Sequence, residues 1–128
     1  MLITGLALAG IAALIHVYIF YLESFAWTKK GTLAAFGMTA EQAEAIRPMA
    51  LNQGYYNLFL AIVTVVGIVL AAAGSTAVGA ALVFAGAGSM TAAALVLVAS
   101  DPTKRSAALK QGLVPLVGVI ALVIGLAF

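Results

Sequence analysis

Few side chains in this sequence can hold a polar group or move a proton, and those few are grouped. His16, Glu23 and Trp27 are separated by seven and four residues, spacings that stack side chains on one face of a helix. Further along stands a dense block, Asn52-Gln53-Gly54-Tyr55-Tyr56-Asn57. On a helix Asn52 lies one turn from Tyr56, and Gln53 one turn from Asn57, which makes two polar stripes. Gln111 stands near the start of the last apolar stretch, followed by Pro115, Gly118 and Gly125 on one face. Imidazole titrates near neutral pH, so His16 is the candidate proton acceptor and Glu23 the candidate acid or orienting group. The two lie about two turns, or ~10 Å, apart along a helix, so a bound molecule or a water chain has to bridge them. The amides and tyrosines supply hydrogen bonds that orient the polar part of a ligand.

Other chemistries fall away. One histidine and no cysteine leave a poor ligand set where three or more are usual, so neither a metal nor a cofactor is expected. Ser24 and Ser89 have no evident triad partners. Gly86-Ala87-Gly88 sits inside an apolar run, where small residues let helices approach rather than cradle phosphate. The absence of cysteine also excludes disulfides while leaving the redox compartment open. Six Lys+Arg against four Asp+Glu give a net charge of +2, and the pairs Lys29-Lys30 and Lys104-Arg105 form no cluster. Nucleic acid is therefore not an expected partner.

The elements that position these residues are set by composition. The 128 residues are 65% hydrophobic and 8% charged, whereas soluble domains carry about 25% charged residues. That excludes a water-soluble globule, and disorder fails for the opposite reason. Apolar runs long enough for a bilayer core lie at about 2–22, 52–73, 76–100 and 107–128. The expected fold is all-α, an integral membrane four-helix bundle. The first run has no positive segment before it and outlasts a signal-peptide core, so a retained span is expected. Gly74-Ser75 makes a tight turn, and Asp101-Pro102 ends the third span, with Asp101 placed to cap the next helix.

Every charged side chain lies either between the first two spans or between the third span and the apolar part of the fourth, which begins near Leu113. Loops separated by two spans share a side, and the positive-inside rule puts both in the cytoplasm, with the chain N-out and C-out. Between the first spans, Thr39 to Pro48 reads as a short interfacial helix, with Thr39 and Gln42 forming a capping box. Its apolar members Met38, Ala43 and Ile46 either rest on the membrane surface or belong to an ordinary structured loop, and the sequence favours neither.

On this topology, His16 lies roughly 22 Å along its helix from Met1, in the cytoplasmic half. Glu23, Asn52, Gln53, Tyr56, Asn57 and Gln111 fall near the same level, and Trp27 fits an interfacial belt. Together they predict one polar, ligand-binding pocket in that half. The plainer reading of any single one is interhelical hydrogen bonding or belt anchoring. Gly79, Gly86, Ser89, Ala92 and Ala93 mark the third span as a close-packed centre or an oligomer face, so a homo-oligomer is a possible assembly.

With these residues in view, the chain resembles a small bacterial family of four-span predicted membrane proteins, catalogued as domain of unknown function thirteen-oh-four. The resemblance rests on His16-to-Glu23-to-Trp27, the block from Asn52 to Asn57, and Gln111-Gly112-Leu113-Val114-Pro115. It extends over essentially the whole chain and implies the architecture. Members sometimes carry an epimerase label. A carbon-centre epimerase needs a base and an acid, or a cofactor, flanking one carbon. Only His16 and Glu23 are available, both on one helix, so the label is not adopted. The leading expectation is a multi-pass protein of the bacterial cytoplasmic (inner) membrane that binds or transports a small amphipathic molecule or lipid. An intramembrane enzyme using His16 and Glu23, and a structural or regulatory subunit, are the alternatives.

Overall fold

A chain this apolar must satisfy its main-chain N–H and C=O groups within each segment, which selects helices. The computed structural model describes residues 1–128 and contains helices and no strand. In order these are α1 (Leu2–Ser24), α2 (Lys30–Phe36), α3 (Ala40–Ala45), α4 (Arg47–Ala72), α5 (Thr76–Ser100), a 3-10 turn (Pro102–Lys104) and α6 (Arg105–Ala127). Four helices are long and apolar enough to cross a membrane: α1, α4, α5, and α6 with its leading turn. At 1.5 Å per residue each is roughly 35–39 Å long, against a hydrocarbon core of about 30 Å.

These four form an antiparallel ring in which α1 packs on α4, α4 on α5, α5 on α6 and α6 back on α1. Glycine sets how closely they approach. A Cβ at Gly5 would stand 2.6 Å from the Leu122 nitrogen, and one at Gly67 would stand 2.7 Å from the Gly79 carbonyl oxygen. Such backbone contact supplies the van der Waals packing that holds helices together where lipid is as apolar as they are. Ala9, Ala80, Val83, Ala87 and Leu122 fill the centre. Gly79 and Gly86 serve this packing, while Ser89, Ala92 and Ala93 on the same helix are exposed.

The ends of the ring differ. Lys104 Nζ donates to the Phe36 carbonyl at 2.6 Å, so the two charged loops meet. At the other end Gly125 packs on the main chain of Met1 and Leu2. The Gly74 turn, with φ of 95°, lies at that end too.

The expected surface helix at 39–48 is divided. Thr39 Oγ1 accepts from the Gln42 N–H at 3.2 Å, and Gln42 Oε1 accepts from the Thr39 N–H at 3.0 Å, so the capping box forms as expected. The helix stops at Ala45, Ile46 carries the break, and α4 begins at Arg47 rather than near Asn52. Pro48 falls in the first turn of α4, where its missing N–H costs nothing. The α2 helix, closed by Gly37 at φ 63°, is an element that the sequence does not announce. Ala43 is fully buried in a cluster with Trp27 and Ala50, and Met38, partly buried, packs against that cluster. Ile46 alone of the three is exposed.

Candidate functional site

The polar residues fall into three neighbourhoods. His16 is 2% exposed, on the buried face of α1 that also carries Gly5, Ala9, Ala12 and Ala13. Its Nδ1 lies 2.9 Å from the Ala12 carbonyl oxygen, one turn back on its own helix. Thr64 and Thr91 do the same, donating to Leu60 and Ala87 at 2.8 and 3.0 Å. These side chains satisfy themselves locally, as a polar group in an apolar interior must.

The second neighbourhood joins α1 to α4. Asn57 Nδ2 donates to Glu23 Oε2 at 2.8 Å and also reaches the Gln53 carbonyl at 3.1 Å. Gly54 makes this approach possible, since a Cβ there would overlap the Ser24 hydroxyl and stand 3.1 Å from the Glu23 Cβ. The Ser24 hydroxyl is buried without a partner. A cleft of about 310 Å³ opens beside it, lined by Glu23, Ser24, Trp27, Thr28, Arg47 and Pro48 among others. Arg47 is turned to Glu44, 3.4 Å away.

Trp27 belongs to neither face of α1, because that helix ends at Ser24. Only 8% exposed, it folds back to donate from Nε1 to the Ala43 carbonyl at 2.8 Å and meets Phe36 edge to face at 5.1 Å. It pins α2 and α3 rather than standing in an interfacial belt. Asn52, Gln53 and Tyr56 are exposed, Tyr56 at 58%. The cause lies in α4's own periodicity. Its inward stripe is Ala50, Gly54, Ala61, Thr64 and Gly67, which turns the other stripe outward and leaves Asn57 as the polar member at the contact.

The third neighbourhood is a groove of about 490 Å³ between α1, α2 and α6. Ile15, Ile19 and Leu22 form an apolar wall, while Lys29, Lys110, Gln111, Thr32 and the tyrosines Tyr18 and Tyr21 line it too. Lys29 Nζ sits 3.5 Å from the Tyr21 hydroxyl and 5.9 Å from its ring centroid. Gln111 is the one member of the sequence-derived set that lines this groove. The signal for the others is the Tyr18–Tyr21 pair at i, i+3 and the adjacent Lys110-Gln111, both less conspicuous than the dense amide block. The expected single pocket is thus resolved into a self-bonded His16, a Glu23–Asn57 contact and a flanking groove.

A family model described as a protein of unknown function, DUF1304, matches residues 10–123. The chain belongs to that family. The DUF1304 match runs from within α1 to within α6, so all three neighbourhoods lie inside it. Neither a curated protein nor a solved structure matches this DUF1304 chain.

Proposed function

We propose that this DUF1304 protein is a multi-pass protein of the bacterial cytoplasmic membrane that binds a small amphipathic molecule or lipid in the α1–α2–α6 groove. The observation that carries the reading is the groove itself: aliphatic wall on one side and amine, amide and hydroxyl groups lining the same space, at about 490 Å³. That is within the usual size of a small-molecule site, and a few polar groups on an apolar surface are what orient an amphipath. With both charged loops at one end, the positive-inside rule supports placing that end, and the groove, at the cytoplasmic face.

Close packing supports binding at the flank over passage through the ring. Main-chain atoms of α1 and α6, and of α4 and α5, approach so closely at Gly5 and Gly67 that a methyl group has no room. The groove reading is favoured over an intramembrane enzyme using His16 and Glu23 because neither residue lines the groove, His16 Nδ1 meeting its own helix and Glu23 the α4 residue Asn57.

Native mass spectrometry of the protein released from mild detergent tests the proposal. Wild type is compared with Ala107→Phe, which places a ring in the groove, and Ala92→Phe, on the exposed face of α5. A defined small mass retained by wild type and Ala92→Phe but lost from Ala107→Phe is expected. Clean unliganded protein in all three, or the same mass retained in all three, would overturn it.

A further inference from the structure

We propose that the molecule held in the groove carries an anionic head, a phosphate or carboxylate on an aliphatic tail, bound between Lys29 and Lys110. The inference rests on the reading of the groove as an amphipath site and adds the chemistry of the occupant.

Charge is the first observation. Two ammonium groups line the groove and no carboxylate does. The four acids are placed elsewhere. Glu23 is bonded to Asn57, and Glu41 and Glu44 stand exposed on α3. Asp101 is occupied with the Thr103 N–H and hydroxyl. The one ion pair in the chain is Arg47 with Glu44, so Lys29 and Lys110 lack an acidic partner. The Lys104 ammonium is committed to the Phe36 carbonyl at 2.6 Å, whereas Lys29 makes only a 3.5 Å contact with the Tyr21 hydroxyl, itself a groove residue.

Thr32 is the second observation. It lines the groove from α2 and is 2% exposed. Its hydroxyl faces a space that a ligand can enter, where an oxygen acceptor can take its hydrogen bond. Two ammonium donors and a hydroxyl form a donor set suited to an oxyanion, whose charge-assisted hydrogen bonds are the strong ones. The aliphatic wall of Ile15, Ile19 and Leu22 belongs to α1 and is continuous with its membrane-spanning stretch. A tail lying along that wall keeps its head at the charged end of the bundle.

Two sources carry this chemistry, a membrane phospholipid and a soluble amphipathic acid. The full chain is placed in nanodiscs of phosphatidylcholine alone, of phosphatidylcholine with phosphatidylglycerol, and of phosphatidylcholine with added decanoate. Retained molecules are read by native mass spectrometry. Wild type is compared with Lys29→Gln/Lys110→Gln and with Lys30→Gln/Arg105→Gln, which removes two cations from the same loops but outside the groove. Wild type is expected to retain one anionic species over phosphatidylcholine by about tenfold or more, the effect of a single charge-assisted contact. The preference should vanish in Lys29→Gln/Lys110→Gln and survive in Lys30→Gln/Arg105→Gln. Whether phosphatidylglycerol or decanoate is retained identifies the source.

Equal retention of phosphatidylcholine and the anions by wild type, abolished by Ala107→Phe, would overturn the anion inference and leave the amphipath site standing. A preference that persists in Lys29→Gln/Lys110→Gln would overturn it as well. No retained molecule in any composition would overturn the groove reading, and the inference with it.

Discussion

Replacing Gly67 by alanine adds one methyl group where α4 and α5 run closest. Its carbon would stand 2.7 Å from the Gly79 carbonyl oxygen and 2.8 Å from the Val83 nitrogen, both main-chain atoms that cannot swing aside. Contacts of this kind are most favourable near 3.5–4.0 Å, so the helices must part by roughly 1 Å, which forfeits a quarter to a half of each neighbouring attraction. Overpacking of this order costs about 1–3 kcal/mol, partly offset by the ~1 kcal/mol by which alanine exceeds glycine in a helix. Gly88→Ala on α5 is the matched control, because nothing lies within 4 Å of its added carbon and only the helix gain applies. Gly67→Ala should therefore be less stable than Gly88→Ala by about 1–3 kcal/mol. The assay is reversible unfolding in mixed micelles of rising dodecyl sulfate fraction, followed by emission from Trp27, the only tryptophan. Equal stability of the two variants, or greater stability of Gly67→Ala, would refute the packing argument.

Other predictions concern the charged end. Asn57→Ala removes the side-chain donor to Glu23 and should cost about 1–3 kcal/mol; a double-mutant cycle with Glu23→Gln should show clear coupling, and simple additivity would contradict the contact. Trp27→Phe keeps an aromatic ring but strips the Ala43 carbonyl of its donor. Amide exchange across residues 30–45 should accelerate while the spans stay protected, and unchanged exchange there would contradict the pinning role. Hydrogen bonding from the Thr103 side chain, with lesser help from its main-chain N–H and from Lys104, holds the Asp101 carboxyl below its ordinary range. A depressed folded value means that the cap contributes above the unfolded pKa and is lost as pH falls through the folded one. Carbon NMR titration should place the Asp101 midpoint below that of an unperturbed aspartate, with Thr103→Ala raising it; a midpoint that is not lowered would contradict the capping geometry.

The spans and the one-ended charge are legible in the sequence because both depend on local composition. The Thr39 capping box is legible because its partners sit three residues apart. The α2 helix is not, since Lys30 to Phe36 is short and its last carbonyl is bound by Lys104, 68 residues away. Trp27 is misplaced when its spacing from His16 and Glu23 is continued along one helix, because that helix stops at Ser24. For Asn52, Gln53 and Tyr56 the level along the bundle comes from counting residues. Their direction around α4 depends on glycine and alanine taking the inward face, which hydropathy does not register. The groove combines Lys29 and Lys110 from opposite ends of the chain, so only the packing of α6 on α1 brings them to one surface.

The central claim is that a built groove between α1, α2 and α6 selects a ligand, and crosslinking from inside it is the most direct test. A diazirine-bearing residue is placed at Ala35, in the groove wall, and in a second protein at Ala93, on the exposed face of α5. Both are irradiated in intact membranes. The account predicts one dominant adduct mass at position 35 and a mixture of bulk lipids at position 93. Identical adduct spectra at the two positions would contradict it.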